Sequence, residues 1–223
     1  MEEVIKFLEI IRKNNNREWF NANKDMYLNA KNIFETSAQK ILEGVQEFDS
    51  SCRQLTLKDC VYRFYRDLRF TKDMSPYKNH FGLYICPKGK KSMWGGYYFH
   101  VEPQNADYLG TPMLACGSYK PDNSLLKSVR IDIVSRGETY LKAIKKAKTF
   151  FLCQEPALKN IPKGFPSTKY DDLVKLKTFL LEKDIDYKYL YSKNLVEKVI
   201  TDFKNTKDFI TLLNEAFYYS GNY

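Results

Sequence analysis

Val4, Phe7, Leu8 and Ile11 fall at i, i+3, i+4 and i+7, a spacing that predicts an amphipathic helix over residues 2–13. Asn14-Asn15-Asn16 interrupts the pattern. Asn16 is suited to cap a second helix, with Glu18 favourable in its first turn. A stripe through Trp19, Asn23, Tyr27, Ala30, Phe34, Ala38, Ile41 and Val45 predicts one long helix over 17–48 that faces the core. From Val61 the period changes from helical to extended, and Tyr62 and Phe64 are expected to start a strand. The following RDLRFTKDMSPYK reads as a turn or irregular crossing, because Pro76 drives Ser75 out of helix.

Phe81, Leu83 and Ile85 alternate with Gly82 and Tyr84, a strand, and Pro87 to Lys91 make an exposed turn. Gly96 to Glu102 gives another strand, with Tyr97, Phe99 and Val101 on one face and Tyr98, His100 and Glu102 on the other. A further strand is expected over 107–119, interrupted at Thr111-Pro112. Pro121-Asp122 opens a helix carrying Leu125, Leu126, Val129 and Ile133, broken near Gly137 and resumed to about Lys148. Residues 150–172, with three prolines, read as loop, and Leu173 to Ile185 as a short helix and then a strand. Two more helices are expected after Ser192, one bearing Leu195, Val199 and Phe203, the other Phe209, Leu212, Leu213, Ala216 and Phe217.

Helices, then hairpin-linked strands, then helices again predict an α+β fold, its antiparallel sheet packed with N-terminal and C-terminal helices. With no repeat and no low-complexity linker, 1–223 is read as a single α+β domain. It divides into a helical part over 1–50, central strands over 58–120 and a mainly helical part over 121–223.

Composition narrows the functional classes. Hydrophobic residues make up 43% of the chain, enough for burial to drive folding. No apolar run approaches the roughly 18 residues of a bilayer span. The N-terminus carries acidic residues where a signal peptide needs basic ones, so the expectation is a cytoplasmic protein with no membrane partner. The five cysteines are widely spaced and form no C-x-x-C pair, and histidines number two. No metal site and no cofactor motif is expected from them. A net charge of +9, spread along the chain, supports attraction to anions without specifying one.

The chemistry concentrates in Val61 to Ile85, where arginines and lysines interleave with aromatics and with Asp67 and Asp73. Arginine forks suit phosphate or carboxylate, and the aromatics can pin those forks or stack on a planar ligand. In one reading Arg66 and Arg69 clamp a small anion, Lys72 and Lys78 supply charge, Tyr77 donates a hydrogen bond, and Asp67 and Asp73 orient the arginines. In the other, the arginines and aspartates form a structural ion-pair network. His100 and Glu102 stand two apart on a strand, a spacing that lets a carboxylate orient an imidazole for acid–base work.

Several separated pieces resemble the uncharacterised family called domain of unknown function 2461. They are Asn14-Asn15-Asn16-Arg17-Glu18-Trp19-Phe20, Asn23-Lys24, and Tyr65 through Asp73 running into Ser75-Pro76-Tyr77-Lys78. Tyr97 through Pro103, Tyr119-Lys120-Pro121, Arg130 and Pro162-Lys163-Gly164-Phe165 complete the set. One departure is Ala115-Cys116-Gly117, where the family usually has a glycine-rich approach to its Tyr-x-Pro element. The resemblance implies a compact α+β domain and no particular activity.

The expectation is therefore a binding site for a small anionic, possibly phosphorylated, ligand at the Arg66–Lys78 element beside His100 and Glu102, with catalysis left open. The alternative is a nucleic-acid-binding module built on a basic, tyrosine-rich sheet, although no RRM, helix-turn-helix, KH or zinc-finger signature is present. Sequence alone does not set the oligomeric state.

Overall fold

The first helix, α1 (Glu2–Lys13), forms where the spacing places it and buries Val4, Phe7, Leu8 and Ile11. Asn16 caps α2 (Arg17–Ala22), its side chain accepting the Trp19 backbone N–H at 2.9 Å. The structure, a computed structural model, describes residues 1–69 and 73–219. The helix expected over 17–48 is two helices. Asn23 turns its amide onto the Trp19 carbonyl at 2.9 Å and leaves the helical region at φ −118°, so α3 (Lys24–Phe48) starts afresh. A single-turn helix, α4 (Leu57–Cys60), closes on a Thr56–Asp59 capping box.

The strand expected from Tyr62 is replaced by isolated pairings, Val61 with Leu83 and Tyr65 with Tyr77. Phe64 leaves the sheet edge for an aromatic cluster with Phe7, Phe20, Tyr27, Tyr77 and Phe81, which fixes an irregular path here. Three strands follow: β1 (Phe81–Ile85), β2 (Gly96–Val101) and β3 (Met113–Ser118). Of the strand expected over 107–119, residues 107–112 belong instead to a loop.

Asp122 caps α5 (Asn123–Lys146). This helix is kinked at Arg136, next to Gly137, where two helices were expected. The two-residue β4 (Phe151–Leu152), the short α6 (Asp171–Lys175), β5 (Phe179–Asp184) and the short α7 (Tyr187–Leu190) lead to α8 (Leu195–Tyr218). In α8 the two C-terminal helices of the sequence reading become one.

All strand pairs are antiparallel, in the order β1-β2-β3-β5-β4. The α+β class and the flanking helices are therefore as expected. Leu83, Phe99 and Leu114 lie in register on one face of the sheet. That face is covered by α3 and α8: Phe34 stacks on Phe81 with ring centres 5.1 Å apart, and Phe203 meets Tyr97 at 5.4 Å. On the opposite face Tyr84, Tyr98, Ala115 and Glu182 form a row across four strands. Among the described residues no helix packs over this row, and the candidate site lies there. No helix among the described residues is long and apolar enough to cross a membrane.

Candidate ligand-binding cleft

Strand alternation forces Gly82, Tyr84, Tyr98, His100, Ala115, Leu180 and Glu182 onto the uncovered face. Above it lies a cavity of about 450 Å³, walled by Tyr62, Tyr84, Tyr98, Tyr108 and Tyr119 and floored by Met113, Ala115 and Leu180. Lys78 and His80 line it from the 61–80 segment, and Glu182 from β5. The walls are held in place by backbone contacts. The Tyr84 hydroxyl donates to the carbonyl of Trp94 (2.6 Å) and meets that of Gly117 (3.1 Å), and the Tyr62 hydroxyl donates to that of Lys90 (3.0 Å).

A second cavity of about 350 Å³ shares Lys78, His80 and Tyr108 with the first and continues it past Arg66, Asp67 and Asp73 to Arg12 and Asp107. The sequence-selected residues meet here unevenly. Arg66 pairs with Asp73, and Arg69 engages Asp67 through Nε (2.9 Å) and an NH2 group (2.7 Å), with Arg63 3.5 Å from the same carboxylate. Those contacts hold the Asp67 and Asp73 carboxyls well below the usual range, hydrogen bonds from Arg69 and Arg66 being the largest causes. The pairs lie at the surface, where ion pairs contribute little to stability. Lys72 lies outside the described residues. Tyr77 is built into the aromatic cluster, stacked 3.9 Å from Phe20, and its backbone is tied on both sides to the Asn15 amide.

Lys78 behaves differently from the arginines. Among the described residues no carboxylate lies within ion-pair distance of its ammonium, which sits 5.5 Å over the Tyr62 ring at the junction of the two cavities. Burial, with a smaller contribution from Arg63, lowers its pKa.

His100 and Glu102 are fully buried behind the Tyr98 ring. The Tyr98 hydroxyl lies 2.8 Å from His100 Nδ1, and His100 Nε2 lies 3.0 Å from Glu102 Oε2. The Glu102 carboxylate also accepts the backbone N–H groups of Tyr108 (3.1 Å), Leu109 (2.8 Å) and Gly110 (3.1 Å), pinning the 103–112 loop that hangs Tyr108 over the cleft. Burial pushes the Glu102 pKa up, but the bonds from His100, Leu109 and Tyr108 outweigh it and hold it below the usual range. An ionised Glu102 that accepts from Nε2 leaves Nδ1 as the acceptor of the tyrosine proton.

His80 stacks on Tyr108 with ring centres 4.5 Å apart and stands 4.9 Å from His100. Burial, followed by the charges of His100 and Lys78, pushes it down to about 3, and burial lowers His100 as well. Both imidazoles stay neutral in the fold, whereas the unfolded chain protonates its histidines near the ordinary 6.5. Unfolding therefore takes up protons below that pH, and stability is expected to fall as pH drops from 6.5 toward 3. Glu102, lowered from 4.5, adds to the same trend below that value. Thermal melts across this window should show a steadily falling midpoint, with a shallower slope for His80→Phe.

No group of three or more His, Cys, Asp or Glu side chains among the described residues is disposed to hold a metal. The cysteines are free, four of the five are buried, and Cys153 donates to Glu182 at 3.1 Å. Sequence reasoning missed Tyr98, Tyr62, His80 and Tyr108. For Tyr98 the signal was present, since it shares the alternating face of His100 and Glu102.

A family model described as conserved hypothetical protein, DUF2461, matches residues 3–211. The chain belongs to this family. No curated protein and no solved structure matches it. In this DUF2461 protein Arg66, Asp67, Asp73, Ser75, Tyr77 and Lys78 of the central piece that carries the resemblance line the second cavity, and Tyr97–Pro103 supplies the buried His100 and Glu102 together with Tyr98.

Proposed function

We infer that this DUF2461 protein binds a small anionic ligand with a planar body, the ring lying among the cleft tyrosines and the anionic group meeting Lys78. The observation that carries this reading is Lys78 itself, a half-buried ammonium without a carboxylate partner, facing two joined cavities. The cleft is concave and mostly apolar with few polar groups, the usual form of a small-molecule site. Its polarity is asymmetric: Lys78 stands on the β1 side, and Glu182 lies on β5, two strand spacings or roughly 10 Å beyond Tyr98. Lys120 also lines the cavity but is exposed, whereas Lys78 is half-buried, so the anion is assigned to the Lys78 end and a hydrogen-bond donor to the Glu182 end. Arg66 and Arg69 orient the wall through Asp73 and Asp67. Because these arginines are already held by carboxylates, a small ligand is favoured over a nucleic-acid backbone.

Thermal melts with phenyl phosphate, inorganic phosphate and matched chloride test this. Phenyl phosphate is expected to raise the midpoint by mass action and to do so more than inorganic phosphate. Lys78→Met should abolish the response, while Arg66→Ala, which removes only a surface pair, should leave the midpoint nearly unchanged and keep most of the response. Equal responses in wild type and Lys78→Met would overturn the site.

A further inference from the structure

We propose that Tyr98, His100 and Glu102 form a proton relay that opens into the cleft, with Tyr98 the catalytic base for a planar weak acid whose conjugate base is an oxyanion held by Lys78. This rests on the ligand-binding reading of the cleft and adds a reaction to it.

The geometry supplies every link. Tyr98 lines the cavity, and its hydroxyl lies over Gly82, where a Cβ would come within 3.0 Å of the oxygen. The absence of a side chain at Gly82 leaves that oxygen its space. The hydroxyl donates to His100 Nδ1 at 2.8 Å, so its lone pairs remain available to accept. Nε2–H donates to Glu102, and three backbone N–H groups keep that carboxylate ionised and fixed. This is the logic of a buried carboxylate orienting an imidazole that serves a hydroxyl, here with a phenol in place of an aliphatic alcohol.

In the proposed step the acidic bond of the ligand breaks and its proton goes to Tyr98 Oη. The original tyrosine proton passes to His100 Nδ1. The products are a ligand oxyanion and an imidazolium paired with Glu102, so one proton is moved, no electrons change hands and no co-reactant is needed. The other groups around the relay fit this direction. Burial is the main force against protonating His100 and His80, and the charge of Lys78 adds a smaller opposition while the cleft is empty. An oxyanion at Lys78 offsets that smaller part, and the hydrogen bond to Glu102 works against the burial. His80 and Tyr108, stacked together, cover the His100 side, and Tyr62 and Tyr84 flank the Tyr98 ring at 6.4 Å each. Tyr98 is the catalytic residue; His100 and Glu102 position it and hold its proton.

The test uses para-nitrophenol, a planar weak acid whose ionisation is visible by absorbance, with the full chain. Bound to wild type, it should ionise at least about one pH unit lower than in solution, a tenfold rise in acidity. Tyr98→Phe keeps the ring and Lys78, so the bound probe should keep only the part of the shift that the ammonium supplies and ionise at a higher pH than on wild type. In wild type labelled with nitrogen-15 histidine, the His100 Nδ1 resonance should move from acceptor to protonated on binding, a readout that does not depend on the variant folding. Binding with an unshifted probe and an unchanged His100 would overturn the relay and leave the cleft standing. No binding by wild type at millimolar probe would overturn both.

Discussion

Glu102→Ala is expected to cost roughly 3–5 kcal/mol, a large share of the ~5–15 kcal/mol that holds a typical domain together. The carboxylate is fully buried and accepts four hydrogen bonds, one from His100 and three from consecutive backbone amides of the 103–112 loop. Deleting it leaves these donors without an acceptor, and each unsatisfied buried donor costs about 1–3 kcal/mol. The total falls short of the sum because the loop can swing outward and hydrate part of the set. Glu102→Gln keeps the volume and one acceptor oxygen but turns an amide NH2 toward donors, so an intermediate loss is expected. Urea denaturation gives the stability difference, and hydrogen exchange locates it: amides 108–110 should lose protection first. A Glu102→Ala protein as stable as wild type, with those amides still protected, would contradict the account.

Gly117→Ala is expected to be as damaging or worse, at least ~4 kcal/mol, which is exceptional for the addition of one methyl group. Gly117 sits in β3 at φ +133°, a region closed to residues with a Cβ. It pairs with Gly96 on one side and Leu180 on the other, in the middle of the sheet. A Cβ built there overlaps the Phe179 carbonyl oxygen and comes within 3.0 Å of its carbon. The obstacle is backbone in a paired strand, which cannot rotate away as a flexible side chain would. The β3–β5 pairing would have to part locally, opening the floor of the cleft beneath Leu180. The variant should be recovered mainly insoluble, or with a strongly lowered urea midpoint. Wild-type solubility and midpoint would reject the argument.

Much of this was legible from periodicity. The alternation in β1 and β2 placed Phe99 and Val101 in the core and aligned Tyr98, His100 and Glu102, because a period of two leaves a strand no other arrangement. The α1 stripe and the Asn16 cap were equally local signals. The misread positions are those where one side chain overrides the local pattern. Asn23 ends a helix by bonding to the Trp19 carbonyl rather than by any break in the apolar stripe. Thr206 makes α8 look like two helices, since a polar residue interrupts the stripe; it is in fact fully buried, its hydroxyl satisfied by the Phe203 carbonyl at 2.8 Å. The cleft was half legible. Asp67 and Asp73 were read as orienting an arginine clamp or as members of a structural ion-pair network, and spacing could not choose between these. That Lys78 ends without a carboxylate, and that the 103–112 loop returns three amides to Glu102, are facts of tertiary placement with no local signature.

The packing of α8 bears on when this chain can fold. The helix lies against α3 and against the buried face of the sheet: Lys207 reaches the Phe48 carbonyl, Asn214 exchanges hydrogen bonds with the backbone of Gly95, and Phe203 covers Tyr97. Its contacts with α3 and the sheet therefore reach back some 100 to 160 residues, as the 119-residue separation of Gly95 and Asn214 and the 159 of Phe48 and Lys207 illustrate, while those with α5, Arg136 to Glu215 and Lys146 to Asp208, span 79 and 62. While a ribosome is still adding residues short of Leu195, β1, β2 and β3 can pair, but their apolar face lacks the cover that α8 supplies. Such an intermediate exposes a flat hydrophobic sheet, the kind of surface that invites association with other nascent chains. The native fold is thus completed after, rather than during, synthesis of this region, and the rate of that final step is set by closure across sequence-distant contacts rather than by the local helix signals that are so plain in the chain.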